Sequence, residues 1–545
     1  MDATSIHEKS SKNFAPTKMT ARRRLAAISL LTILAGIFLL YLMHADIWHD
    51  ESMYMSAGVL VQDHMLYRDF SYLQMPILPY LYAIIFRLTQ SPYLLLCMKL
   101  FNWIAVVTTL AVFYRIVEHL THSAFYAGAA SICLAFNSIF LHSTKYMANA
   151  VLPLPFALLA ILFYLRAIDT TSRRASWWTA CSGAMIGIAV GIKSYYIAAV
   201  PAMAFAALFA PPQLPPAQRL KTRFLPFCLA CGAALLPVAY FFFSAPEAFT
   251  LNNFGYHITN SNFKEIEGYQ RAMTFGGKVD FIWNFLQFAP NLGIILAIGF
   301  SAWCLRLDRN SWEWQSWRNQ LFIPLIALTT AAAVMLKPLW LHYFVLPLPF
   351  VMIYAATFYP RLLPRSQKLV RVLVAMLAVF QTLLSGHYYY DRIPENIGKP
   401  WQPLAFHEMA QKIADQIGPL SSCDRVATLS PHVALEARLP IYPEFATGIF
   451  LYRLAHTLAP AEQQIYITTS KETAEQFFAA DPPKAFLVGK FITQEAPWIR
   501  FATSRGYRCI TTDLQGLTLY VRPDTDGATA PAMPTANAIV CHRWW

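Results

Sequence analysis

A succession of apolar runs limits this chain more than any other feature. Several exceed the roughly 18 residues that mark a membrane span. One soluble core cannot absorb them all. Of the 545 residues 56% are hydrophobic and only 13% are charged, where soluble domains carry about 25%. The expected fold is therefore a polytopic α-helical membrane protein of about eleven transmembrane helices. Spans are predicted near 25–44, 93–114, 122–140, 150–168, 176–192, 195–211, 223–244, 282–304, 320–336, 340–358 and 369–388.

Basic clusters orient these spans. Lys18, Arg22, Arg23 and Arg24 precede the first. Arg166, Arg173 and Arg174 separate the fourth and fifth; Arg219, Lys221 and Arg223 separate the sixth and seventh. Arg306, Arg309 and Arg318 follow the eighth, and Arg361, Arg365, Lys368 and Arg371 precede the last. All five fall on one side if the eleven spans alternate. That side reads as cytoplasmic, with the amino end inside and the carboxyl end outside. The formal net charge of +13 is then topological, and no nucleic-acid partner is expected. The polar stretch Met1–Thr20 is too long and mixed for a signal peptide, so the first apolar run should stay as an anchor.

The predicted organisation is a cytoplasmic tail at 1–24, a membrane domain at 25–390 with outside loops at 45–92 and 245–281, an outside α/β domain at 391–522, and a disordered tail at 523–545. Two stretches of the first loop, Glu51–Met65 and Pro76–Leu88, are too short to span and read as helices lying in the interface. In the carboxyl part, a helical pattern at His407–Ile417 alternates with strand-like runs at Arg425–Leu429, Ala485–Val488 and Leu517–Val521. Cys228 and Cys231 lie in an apolar span and read as packing residues; Cys423 and Cys509 could pair if the tail is outside.

Chemistry concentrates where the first span exits, at Ala45-Asp46-Ile47-Trp48-His49-Asp50-Glu51-Ser52. Asp50 precedes a helix, so a helix cap competes with a functional carboxylate. Asp69 either binds a ligand or pairs with Arg68 in a turn. Lys99 lies inside the second span, where a lipid-facing lysine costs about 2.5–3.5 kcal/mol. It should therefore face a partner or a wet cavity, or else snorkel to the interface. Lys145, Lys193 and Lys337 all defy the positive-inside bias. In 245–281, Asn253, Tyr256, His257, Lys264 and Arg271 could contact a sugar or an acceptor. Four histidines, His44, His49, His64 and His257, lie nearby, but a metal site needs at least three convergent ligands.

The Asp-Glu pair with Tyr54 three residues on, then Tyr67-Arg68-Asp69-Phe70 and Gln74-Met75-Pro76, resembles the GT-C membrane glycosyltransferases. The most similar branches are the protein O-mannosyltransferases, the aminoarabinose lipid A transferases and the bacterial enzymes that decorate lipopolysaccharide. The likeness covers roughly 25–390 and is sharpest in 45–92. It implies an inverting transferase that moves a sugar from a polyprenyl-phosphate donor to a glycolipid, polysaccharide or protein acceptor at the periplasmic face of a bacterial inner membrane. It makes Asp50 the general base, with Glu51 supporting it or orienting the acceptor. The leaving phosphate needs cations rather than a general acid. The aminoarabinose branch has a lysine just before the proline of the second surface helix, and Met75 stands there instead. Lys99 is then the leading substitute, with Lys145, Lys193 and Lys337 behind it. The resemblance also suggests phosphate or sugar contact for His342 and Tyr343, against an aromatic-belt role, and acceptor contact for Tyr67, Arg68, Asp69 and His257. No obligatory cofactor is expected; a divalent cation held by Asp69 is the alternative. The rival readings are a transporter or lipid-carrier flippase, and a non-catalytic scaffold.

Overall fold

Apolar runs with few polar interruptions can satisfy their backbone groups internally only as helices, and helices dominate the computed structural model. It describes residues 21–146, 148–170, 174–211, 213–266, 273–287, 289–307, 316–390, 398–512 and 516–523. The chain runs through α1 (Ala21–Met43), α2 (His49–Leu60), α3 (Ile77–Thr89), α4 (Leu94–Thr121) and α5 (Ala124–Ala135). Further on come α6 (Arg174–Ile192), α7 (Tyr256–Ile266), α8 (Pro364–Tyr390), α9 (Gln402–Ile417) and α10 (Pro431–Glu436).

Among the described residues seven helices are long and apolar enough to cross a membrane, or up to ten if each of three bent pairs counts as one span. The sixth predicted span, 195–211, is the shorter apolar stretch Ser194–Phe209. The bends have local causes. At the 56° bend after α5, the Asn137 side chain leaves the helix pattern, accepting from the Ile139 amide and donating to Asn291. At the 48° bend between Pro216–Ala234 and Leu236–Ser244, Pro237 removes a helix donor.

Polar contacts sort the bundle into two ends. At one, Arg223 donates to the Thr170 carbonyl at 3.0 Å and His119 lies 3.0 Å from Asp169. At the other, Lys193 donates to Gln74 at 2.7 Å, and the carboxyl-terminal part is docked. That part carries a four-stranded sheet of β1 (Val426–Thr428), β2 (Ala485–Val488), β3 (Arg508–Thr511) and β4 (Thr518–Val521), in the order β1-β2-β4-β3. β1 runs parallel to β2, and the other pairs are antiparallel. The strand-like runs of the sequence match three of these strands; the short β3, largely exposed, lies in no such run.

Three expectations need correction. First, α2 does not lie open in the interface: ten of its residues are buried, because α10 covers it and His432 bonds Ser52 at 2.7 Å. By contrast α3 buries one face and exposes Ile84 and Leu88. Second, 245–281 is helical for much of its length, including Pro246–Thr250 and α7. Third, Cys509 is free and exposed while Cys423 is in a disulfide, so the two do not pair. Lys18, Arg173, Arg309, Arg271, most of the 1–24 tail and nearly all of the 523–545 tail fall outside the described residues.

Candidate active site

The site is organised by the first turn of α2. Trp48 caps this helix, and Glu51 reaches back to accept the Trp48 amide at 2.9 Å. The capping work expected of Asp50 is thus done by its neighbours. Glu51 points inward and pairs with Lys99 at 3.0 Å, where both side chains are almost fully buried. Lys99 also lies 3.5 Å from the Ala45 carbonyl. Lys99 therefore faces a partner, not lipid. Its charge is neutralised by Glu51, and the structure does not present it to a ligand.

Asp50 takes the other side of the turn. Its side chain is 18% exposed and lies 3.6 Å from His49. Burial pushes the Asp50 carboxyl up, Lys193 pulls it down, Glu51 raises it and Arg453 opposes that rise, leaving it at about 7. At that value it exchanges a proton near neutral pH. Tyr54, Tyr72, Tyr256 and Tyr343 lie within its electrostatic reach. The buried Tyr72 hydroxyl and Arg453 Nε have no hydrogen-bond partner among the described residues. Unpartnered buried polar atoms of this kind mark a place for water or a ligand.

Two cations flank Asp50. Lys193 sits at the break between α6 and the next apolar stretch and is held by Gln74 at 2.7 Å. Arg453 comes from the carboxyl-terminal part, anchored to Asn260 of α7 at 2.7 Å and stacked over Phe450 at 5.5 Å. His257, exposed on α7, and His342 both feel the Lys193 charge. Asp50, Lys193, His257, His342 and Tyr343 are thus brought together. Lys145 lies to one side, 4.0 Å from the exposed Asp46. Lys337 is exposed, and its charge acts on Lys278.

The remaining loop residues brace one another. Arg68 grips Asp69 through two bonds of 2.7 and 3.0 Å, and Asp69 also accepts the Met65 amide at 2.7 Å. Of the two readings open for Asp69, the turn pair is the one observed. Tyr67 is buried, donates to the Gln74 carbonyl at 2.6 Å and packs edge-on to Phe241 and Phe249. Among the described residues no group of three or more His, Cys, Asp or Glu side chains could hold a metal ion.

The profile of the dolichyl-phosphate-mannose-protein mannosyltransferase family matches residues 73–241. The crystal structure of ArnT from Cupriavidus metallidurans bound to undecaprenyl phosphate superposes with a TM-score of 0.61 at 12% identity, covering 91% of this chain and 98% of that chain. The fold is that of the GT-C superfamily of membrane glycosyltransferases. The apo ArnT structure from the same organism agrees, with a TM-score of 0.59, 12% identity and coverage of 91% and 97%. Curated protein sequences give no significant match. On this GT-C frame, sequence reasoning missed Arg453, which lies in the carboxyl-terminal part and has no motif around it. It also gave no role to Gln74, although the motif that contains it was recognised.

Proposed function

We propose that this chain is an inverting glycosyltransferase that uses a polyprenyl-phosphate sugar. The observation that carries the proposal is Asp50: a half-buried carboxyl with a pKa near 7, flanked by Lys193 and Arg453, at one end of a GT-C bundle. ArnT, of the same fold, is seen with undecaprenyl phosphate, which supports a polyprenyl-phosphate carrier here.

In this reading Asp50 accepts the proton of an acceptor hydroxyl as that oxygen attacks the anomeric carbon. The carbon–oxygen bond to the phosphate breaks, and the phosphate leaves with the bonding pair. Because the leaving group is a stabilised anion, it needs positive charge rather than a proton. Lys193 and Arg453 supply that charge, with His342 and Tyr343 beside them. Lys193 thus takes the role first given to Lys99, and the Glu51–Lys99 pair positions the first turn of α2. His257 remains the acceptor contact, while Tyr67, Arg68 and Asp69 hold the loop. Lys145 and Lys337 stand further out. The site faces the periplasm of a bacterial inner membrane, because the five basic clusters mark the opposite end as cytoplasmic. The acceptor is a glycolipid, a polysaccharide or a protein. Protein cations do the charge work, so a chelator should leave transfer unchanged; loss restored by magnesium would assign that work to a divalent ion.

The test is release of polyprenyl phosphate from a purified polyprenyl-phosphate sugar by the native protein and by Asp50→Asn. The native protein should release it and the variant should not, with insertion and thermal unfolding unchanged. If the native protein releases none from any such donor, a transporter or flippase becomes the better account.

A further inference from the structure

At the end of the bundle away from Asp50, α1 and α8 stand on either side of α5 and leave a groove over it. The groove has a volume of about 690 Å³ and is floored by small residues, Ala27, Gly128, Ala129 and Ala378 among them. It continues past Phe125 along α8, where Lys368 and Arg371 join the lining. The lining is basic at the start of both flanking helices: Arg22 and Arg23 open α1 and line the first stretch, and Lys368 and Arg371, in the first two turns of α8, line the second. None of the residues lining either stretch is a carboxylate. Arg371 Nε is buried and has no hydrogen-bond partner among the described residues.

The flanking helices are also the least covered by protein. Only 22% of the apolar window of α1 and 28% of that of α8 are buried, against 33 to 67% for the other five long spans. Gly128 keeps the floor of the groove low where Leu30 of α1 packs on α5, since a Cβ added there would come within 3.3 Å of Leu30. An apolar trough with cations only at the start of its flanking helices matches an amphiphile with an anionic head and hydrocarbon tails. Cations near a charged lipid head contribute about 1 kcal/mol each.

We propose that this groove is a binding site for one anionic phospholipid, its acyl chains lying over α5 between α1 and α8 and its phosphate held by Arg22, Lys368 and Arg371. The lipid replaces the protein packing that α1 and α8 lack, and it is separate from the donor site at the far end of the bundle.

The experiment uses the full chain in nanodiscs of phosphatidylglycerol or phosphatidylcholine, followed by native mass spectrometry and thermal unfolding. The native protein should retain one phosphatidylglycerol and unfold at a higher temperature in that lipid. The Arg22→Gln/Lys368→Gln/Arg371→Gln variant should retain it roughly a hundredfold less well, at about fivefold per charge. Because losing three basic residues can disturb insertion, Ala375→Phe, which fills the groove without touching a charge, is the second variant and should also displace the lipid. Equal retention of phosphatidylcholine, or unchanged phosphatidylglycerol retention in the Ala375→Phe protein, would overturn the proposal.

Discussion

Asp50 and Glu51 are adjacent in the chain yet occupy opposite regimes. Glu51 faces the bundle, is almost fully buried and is matched by Lys99 at 3.0 Å. Asp50 keeps 18% of its side chain exposed and has Lys193 and Arg453 in its field without a close ion pair to either. A buried pair with complete mutual neutralisation is a structural lock. A carboxyl with a raised pKa and cations in its field but not bonded to it is a group free to move a proton. On the proposed assignment, positioning and chemistry are divided within a single helical turn.

The sharpest way to break this division is to neutralise each carboxylate alone. Asp50→Asn should lower transfer by roughly 10²–10⁴-fold, the span expected of a lost general base, while thermal unfolding stays put. Glu51→Gln should do the reverse in kind. It keeps an acceptor for the Trp48 amide but strands the Lys99 charge, which costs about 3–5 kcal/mol, read as a collapse in thermal stability. Adding Lys99→Met should recover most of that loss. If instead the double variant folds normally but transfers no sugar, Lys99 or Glu51 acts directly and the assignment fails.

The pH profile sharpens the Asp50 side. A base must be deprotonated, and burial holds this carboxyl near 7. Transfer should therefore rise as pH passes upward through about 7 and level off above it. Lys193 pulls the Asp50 pKa down, so Lys193→Met should move that rising limb to higher pH and also weaken donor binding. A limb that stays in place in Lys193→Met would show that some other group sets it.

Much of this architecture was legible because membrane insertion writes itself into sequence. Length and hydropathy located the seven long apolar helices, the three bent pairs and the shorter passage Ser194–Phe209, and the strand-like run Ala485–Val488 is a strand with those bounds. The carboxylates after the first span were legible because their order and spacing resemble a family. Partner choice was not. Lys99 and Lys193 both look anomalous in sequence, since each is a lysine in or beside an apolar run. Only the fold reveals that one is paired and the other faces Asp50. Arg453 was invisible for a different reason: its place depends on docking of the carboxyl-terminal part, a long-range contact no local pattern encodes. The burial of α2 was missed for the same cause.

That docking gives a test of intermediate size. Glu436 is buried in α10, accepts the Leu95 amide at the start of α4 at 2.9 Å and meets His407 of α9 at 2.8 Å. It thus ties the carboxyl-terminal part to the helix that carries Lys99. Replacing Glu436 with Ala leaves the amide and the imidazole without their acceptor, a loss of about 1–3 kcal/mol. The expected outcome is earlier release of the carboxyl-terminal part in limited proteolysis and a lower transfer rate, since Arg453 arrives with that part. Release without any change in rate would remove Arg453 from the site.

The smallest effect should come from the pair that most resembles a functional motif. Arg68 and Asp69 sit in the recognised loop, yet they bind each other, and the Arg68 side chain is 63% exposed. Solvent screens such a pair, so its contribution to stability is slight. Asp69 does one further thing: it accepts the Met65 amide at 2.7 Å, closing the turn that places Tyr67 at a positive φ of 67°. Arg68→Ala should then leave both stability and transfer almost untouched, while Asp69→Ala should loosen the turn and lower stability modestly without changing the pH limb. A large drop in acceptor affinity for Arg68→Ala, at constant stability, would return this pair to the substrate and move the boundary between lock and chemistry along the loop.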